Sequence, residues 1–366
     1  MDTSESPEAA AWTLYSLRDF AAAARLYERL SREHEAQDRI DRAAHCAYMH
    51  ATCMVHLAQY TAATASYKVV ASAHDSTSVV ETHRALAGLT NVAACLPLGR
   101  KVVLAALRGS HDFLSDANQS DRRDKLLLIE SRYELRRGEL RRALDLAQEA
   151  WSVYQVAARL GLNDHSFVDE TYVAQLVTCS AALGDADGIR RYRDLYGEYG
   201  TGSPSYRRMV VSAADAEIAL VEHEIGAAVE SAHLSFREAL PWIGDAESWE
   251  SLRLLVSVYL VAGQPLRALA TLVSARRMRR SESAYARFLY LELSVRARLL
   301  CLVALDDQTT STRRIHECRI EALLRSALRL AVQLDDLFDS TWYSLRTSEL
   351  RGQLEVSRSQ WGNTSP

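Results

Sequence analysis

Glycine and proline are scarce in this chain, 15 and 6 among 366 residues. That is too little punctuation for a loop-rich protein, and with Ala, Leu, Arg and Glu abundant it favours helix throughout. A strong excess of one charge is also missing. The formal net charge is −4, which leaves no global electrostatic case for nucleic acid. Long hydrophobic runs are absent too: the longest, "LLCLVAL" (299–305), is too short to span a bilayer and follows Arg296 and Arg298, so no membrane association is expected. The opening "MDTSESPEAAAW" has no basic segment leading into an apolar run. The six cysteines are scattered through helical sequence, as free and mostly buried thiols would be, and a reduced cytoplasmic setting is expected. No HExxH, nucleophile elbow or paired CxxC occurs, and catalysis, a bound metal or an organic cofactor is not expected.

What the chain does have is apolar content, 48% of residues, and a repeated unit that arranges it. The clearest copy is "RGELRRALDLAQEA" (137–150), where Gly138, an acid and an apolar residue precede Ala143, Ala147 and Ala150 at helical spacing. The same grammar returns in "LRDFAAAARLYERL" (17–30), "AQYTAATASYKVV" (58–70), "GDADGIRRYRDLY" (184–196), "HEIGAAVESAHLS" (223–235) and "GQPLRALATLVSA" (263–275). Its turn positions, Asp19, Gln59, Glu139, Asp185, Glu224 and Gln264, fall 40, 80, 46, 39 and 40 residues apart. The gap of 80 leaves room for a degenerate copy near "LGRKVVLAAL" (98–107), and a stretched last unit would pair helices at about 284–305 and 315–335. Small residues such as Ala63, Ala143, Ala228 and Ala268 let two antiparallel helices approach closely, and one hairpin cannot cover its apolar faces alone, so neighbours must stack.

This pattern resembles the tetratricopeptide repeat family over nearly the whole chain. The match lies in the turn and second helix, Gly138-Glu139-Leu140 through Ala143, Ala147 and Ala150, and Gly263-Gln264 through Ala268 and Ala275. The period is nearer 40 than 34 residues, and the aromatic usual in the first helix is largely missing, a long-period pattern similar to that of helical sensor and adaptor arrays such as Rap-type and MalT-type regulators. The resemblance implies an all-α fold, a right-handed superhelical α-solenoid of about eight helix-turn-helix hairpins, as a single domain over 1–356; the tail "SRSQWGNTSP" (357–366) reads as disordered. The resemblance also implies a non-catalytic protein–protein interaction adaptor or regulatory subunit. The alternative is a peptide- or ligand-responsive sensor whose superhelix closes to control an effector.

The stretch "HCAYMHATCMVH" (45–56) invites a metal reading. His45 and His56 are eleven residues apart, roughly 16 Å along a helix, so they cannot share one zinc ion at ordinary ligand distances. Cys46 with His50, or His50 with Cys53, is the only chelating spacing, and other ligands are then unnamed. On the helical wheel His45, Thr52 and His56, bordered by Tyr48, fall on the flank that lines the concave groove in tetratricopeptide-like arrays. By the same angular argument Lys125, Arg132 and Arg136 line the groove in the fourth repeat and Arg253 in the seventh. These basic residues suit a partner with an acidic segment. "DDLFD" (335–339) matches the DDxxD of terpene synthases but lacks that family's second motif, and a helix end is expected there. The glycine-rich "YGEYGTGSP" (196–204) lacks the Gly-Lys-Ser/Thr ending of a phosphate loop and reads as a connection between repeats, its tyrosines available to a partner.

Overall fold

The computed structural model describes residues 6–72, 79–96, 100–116, 123–159, 168–199, 204–240, 246–276, 281–304 and 310–362. Among them every regular element is a helix: α1 (Pro7–Ser16), α2 (Phe20–Ala36), α3 (Ile40–His56), α4 (Tyr60–Ser72), α5 (Val79–Cys95), α6 (Arg100–Asp116), α7 (Asp124–Arg137), α8 (Leu140–Arg159), α9 (Val168–Leu183), α10 (Ala186–Tyr199), α11 (Pro204–Val221), α12 (Ile225–Ala239), α13 (Ala246–Val261), α14 (Pro265–Ser274), α15 (Ala284–Ala304), α16 (Thr310–Phe338) and α17 (Trp342–Gly362). The fold is all-α.

All six turn positions picked out by the repeat have the same backbone. The residue before each lies in the left-handed region, Arg18, Ala58, Gly138, Gly184, His223 and Gly263, at φ between 57° and 87°. The N–H of the turn residue then reaches back five positions: Asp19 to the Leu14 carbonyl at 3.0 Å, Gln59 to Met54 at 2.9 Å, and Gln264 to Tyr259 at 2.8 Å, for example. This is the Schellman ending, which satisfies the last carbonyls of one helix while aiming the chain into the next. The turn residue's own carbonyl accepts a bond at the start of the following helix from the residue four positions on, alanine in five of the six copies. Those residues, Ala23, Ala63, Ala143, Ile189, Ala228 and Ala268, are all fully buried. The degenerate copy obeys the same rule, with Val103 fully buried near the start of α6; residues 97–99 of its turn lie outside the described residues. Asp19 and Asp185 also cap their helices, accepting from the N–H groups of Ala22 at 3.0 Å and Gly188 at 2.9 Å.

The contacts divide the chain into two compact units, Met1–Leu135 with Glu139–Leu176, and Arg136–Gly138 with Val177–Pro366. In the first, α1 to α6 pack each on the next, and α3 also touches α5. Gly88 of α5 lets that helix press on α4, since a methyl group there would run into the Tyr67 ring. In the second, α10 to α17 pack each on the next, while α11, α13, α15 and α17 also touch in series. Odd-numbered helices thus lie beside one another at α3 and α5 in the first unit and from α11 to α17 in the second.

The all-round apolar helix α15 is covered by its neighbours, packing on α13, α14, α16 and α17. One expectation fails: residues 357–362 are not a disordered tail, because α17 continues to Gly362. The physical reason is that Leu350 and Leu354 seat α17 on the α15–α16 core, and Arg313 donates to the Ser357 carbonyl at 2.7 Å. Residues 363–366 lie outside the described residues. Asp335 of the DDLFD stretch caps α17, its two carboxylate oxygens accepting from the N–H groups of Tyr343 and Ser344 at 3.0 Å each. Of the glycine-rich stretch, 200–203 lie outside the described residues, and Tyr206 beyond it is buried in α11.

Candidate functional site

The histidine stretch forms α3, and its side chains separate onto different neighbours. His45 Nδ1 lies 3.1 Å from Glu81 Oε1 of α5. His50 Nδ1 lies 2.9 Å from the Ser66 hydroxyl of α4. His56 Nε2 lies 3.2 Å from the Tyr15 hydroxyl of α1, and its ring stacks on Phe20 of α2 at 4.2 Å. Cys46 and Cys53 are fully buried, and burial pushes both thiols up to about 12, so they are protonated at neutral pH and are poor ligands and nucleophiles. Burial also holds His50 below its usual value. Among the described residues, no three His, Cys, Asp or Glu side chains come together in a way that could hold a metal ion. The twelve residues build contacts between helices.

On the flank of α3 named from the helical wheel, these contacts form one network. Glu81 is buried and accepts from Arg84 at 2.8 Å as well as facing His45. Burial works to raise its carboxyl, but the His45 and Arg84 partners outweigh that and hold it below the usual range. The Arg84 guanidinium stands 6.0 Å from the Tyr48 ring, which faces Tyr67 at 5.9 Å. Thr52 bonds back to the Tyr48 carbonyl at 3.0 Å and meets the Tyr67 hydroxyl at 3.3 Å. His45 keeps 44% of its side chain exposed, so the network has an open edge. Lys125 and Arg132 are half-buried on α7, in the same unit.

The second unit carries a counterpart. Arg253 of α13 donates to Glu250 of its own helix at 2.6 Å and to Glu217 of α11 at 3.0 Å. The Tyr285 hydroxyl of α15 donates to Glu250 at 3.4 Å. Burial works to lower the Arg253 pKa, but the two carboxylates hold it above its usual value. The guanidinium keeps a partly exposed side, 34% of the side chain. Arg136 stands over the Tyr285 ring, 4.8 Å from its centroid, so within this unit it is a stacking partner and not an isolated cation.

The wheel argument did not reach the acidic halves of these pairs, Glu81, Glu217 and Glu250. A signal for them exists. His45 and Glu81 are 36 residues apart, Glu217 and Arg253 are 36 apart, and Glu250 and Tyr285 are 35 apart. Each separation is close to one repeat period, so complementary polar residues one period apart mark where successive odd helices touch.

No protein-family model matches the chain, and no match to it was found among the curated proteins.

Proposed function

We propose that this chain is a protein–protein interaction adaptor or regulatory subunit, a right-handed α-solenoid of about eight tetratricopeptide-like hairpins that holds a peptide or protein partner on the flank built by its odd-numbered helices. The observation that carries this reading is the recurrence of one design in both units: polar and aromatic pairs join odd helices one repeat period apart and keep an open edge at His45 and at Arg253. A flank that is helical and whose exposed atoms are imidazole, guanidinium and phenol is suited to hydrogen-bonded recognition of an extended, acidic segment. His45, Tyr48, Thr52 and His56, then Lys125, Arg132 and Arg136, then Arg253, are the side chains assigned to that partner. The protein works in the cytoplasm, without catalysis and without a cofactor.

The test is co-purification of tagged full-length chain from its own cells, beside a Lys125→Glu, Arg132→Glu double variant whose melting curve matches the wild type. A defined partner kept by the wild type and lost by the variant supports groove binding. A partner retained by both moves the interface off α7.

The sensor reading is favoured by one observation. The odd helices of the second unit are joined by ion pairs, Arg253 to Glu217 and Arg346 to Glu292, and not by apolar contact alone. A charged ligand exchanges with ion pairs more readily than with packed side chains. Compaction in small-angle scattering on addition of an acidic peptide separates this sensor from a rigid adaptor.

A further inference from the structure

Where α15 packs on α16, three cationic side chains flank the shared apolar core, and among the described residues no carboxylate pairs with any of them. Arg298 comes from α15, and His316 and Arg319 come from one stripe of α16. Arg298 Nε and His316 Nδ1 are both buried, and neither has a hydrogen-bond partner among the described residues. Arg319, by contrast, is exposed to solvent. Beside them lies the apolar core of Val295, Leu299, Leu302, Ile320 and Leu324, which holds the two helices in place.

Four of the five acids on α15 and α16 are engaged elsewhere, and the fifth, Asp336, sits at the far end of α16. Glu292 is held by Arg296 at 2.8 Å and by Arg346 of α17. Glu317 faces Arg313 at 3.2 Å and Arg358 at 3.4 Å, and Glu321 also pairs with Arg358. Asp335 caps α17. The groups that act on Arg298 are Arg319, Cys301 and Tyr290, and those that act on His316 are Arg298 and Arg319. Burial, followed by these neighbouring cations, holds both Arg298 and His316 below their usual values. Buried N–H groups in folded proteins are nearly always satisfied, and a cation beside like charges is disfavoured unless an opposite charge stands near it.

The geometry points to an anion site: we propose that Arg298, His316 and Arg319 bind a tetrahedral oxyanion, a phosphate group carried either free or as a phosphomonoester. Arg298 Nε and, when the ring is protonated, His316 Nδ1 donate from the buried side, and Arg319 closes over the anion from solvent. The site is independent of the odd-helix flank and stands whether or not that flank binds a partner.

Calorimetric titration of the full chain at constant ionic strength tests it, with sodium sulfate, inorganic phosphate and O-phospho-L-serine as probes. The variants are Arg298→Gln, Arg319→Gln and, as a control on α16 outside the cluster, Arg329→Gln. The expected result is saturable one-to-one binding that weakens about tenfold or more in the first two variants and is unchanged in the control. Tighter binding of phosphoserine than of phosphate assigns the site to a phosphorylated chain, and the reverse order assigns it to the free ion. In anion-free buffer, Arg298→Gln and Arg319→Gln melt at or above the wild type, because each removes like-charge repulsion. The proposal is overturned if no probe saturates or if all four chains bind equally. It is overturned too if Arg319→Gln, an exposed position, melts well below the wild type without anion. An Asp306→Asn, Asp307→Asn chain removes the two acids that lie between α15 and α16 in the sequence. If sulfate binds only to that chain, the oxyanion is the protein's own carboxylate and not an external ligand.

Discussion

His45 on α3 and Glu81 on α5 meet at 3.1 Å across 36 residues of chain, and Arg253 on α13 and Glu217 on α11 meet at 3.0 Å across the same separation. In both units a basic or imidazole side chain of one odd helix finds a carboxylate one repeat period away. The contact that joins neighbouring repeats therefore lies on the same flank that presents exposed polar atoms.

Glu81 compensates a buried guanidinium as well as facing His45. Glu81→Leu leaves Arg84 buried without that carboxylate and should cost about 3 kcal/mol in urea unfolding, whereas Glu81→Gln, which keeps an acceptor, should cost less. Equal losses in the two variants would show that Arg84 does not depend on the pair.

The left-handed turns make opposite substitutions act in opposite directions. Gly138 at φ 87° should lose about 1 kcal/mol as Gly138→Ala, while Ala58 at φ 57° should gain about 0.5 kcal/mol as Ala58→Gly. Denaturant midpoints measure both, and a gain from Gly138→Ala would contradict the Schellman geometry.

Ala143 and Ala268 sit fully buried where two helices cross. Ala143→Leu should destabilise by about 1–3 kcal/mol through overpacking. The same change at exposed Ala322 should be nearly neutral, and equal effects at the two sites would show that the fourth residue after the turn is not a close-packing position.

His111 on α6 pairs with Glu130 on α7. That hydrogen bond raises the imidazole pKa against the opposing effect of burial. A group raised on folding contributes stability that is fully present below its unfolded value, about 6.5, and is lost as pH rises through the folded value. The stability difference between wild type and His111→Gln should therefore be largest near pH 5.5 and shrink by about pH 8.5. A difference that grows with pH would reverse the sign and rule out the pair as its source.

Much of this architecture was legible because it repeats. Six turn positions and the apolar residue four places after each can be read from "RGELRRALDLAQEA" and its copies, and the structure gives all six the same backbone. The copy at Arg100–Asp116 was harder to see because Val103 and Leu107 stand where other copies carry alanine or tyrosine, although burial treats them alike. The C-terminal helix was misread since "SRSQWGNTSP" is polar, whereas the seat of Leu350 and Leu354 on the α15–α16 core and the Arg313 bond to Ser357 come from outside that stretch. On α3 the wheel found the flank but not its use: His56 turns to Tyr15 and Phe20, and His45 to Glu81, because charge partners come from other helices and one helix's periodicity does not specify them. The cationic cluster of Arg298, His316 and Arg319 was hidden for the same reason.

The most direct test of partner binding on the odd-helix flank is hydroxyl-radical footprinting of the co-purified complex against the free chain. Protection of His45, Tyr48 and Arg253, with the exposed valines Val69 of α4 and Val273 of α14 still oxidised as in the free chain, is the expected result. Protection confined to the even-numbered helices, with His45 and Arg253 unchanged, would contradict it.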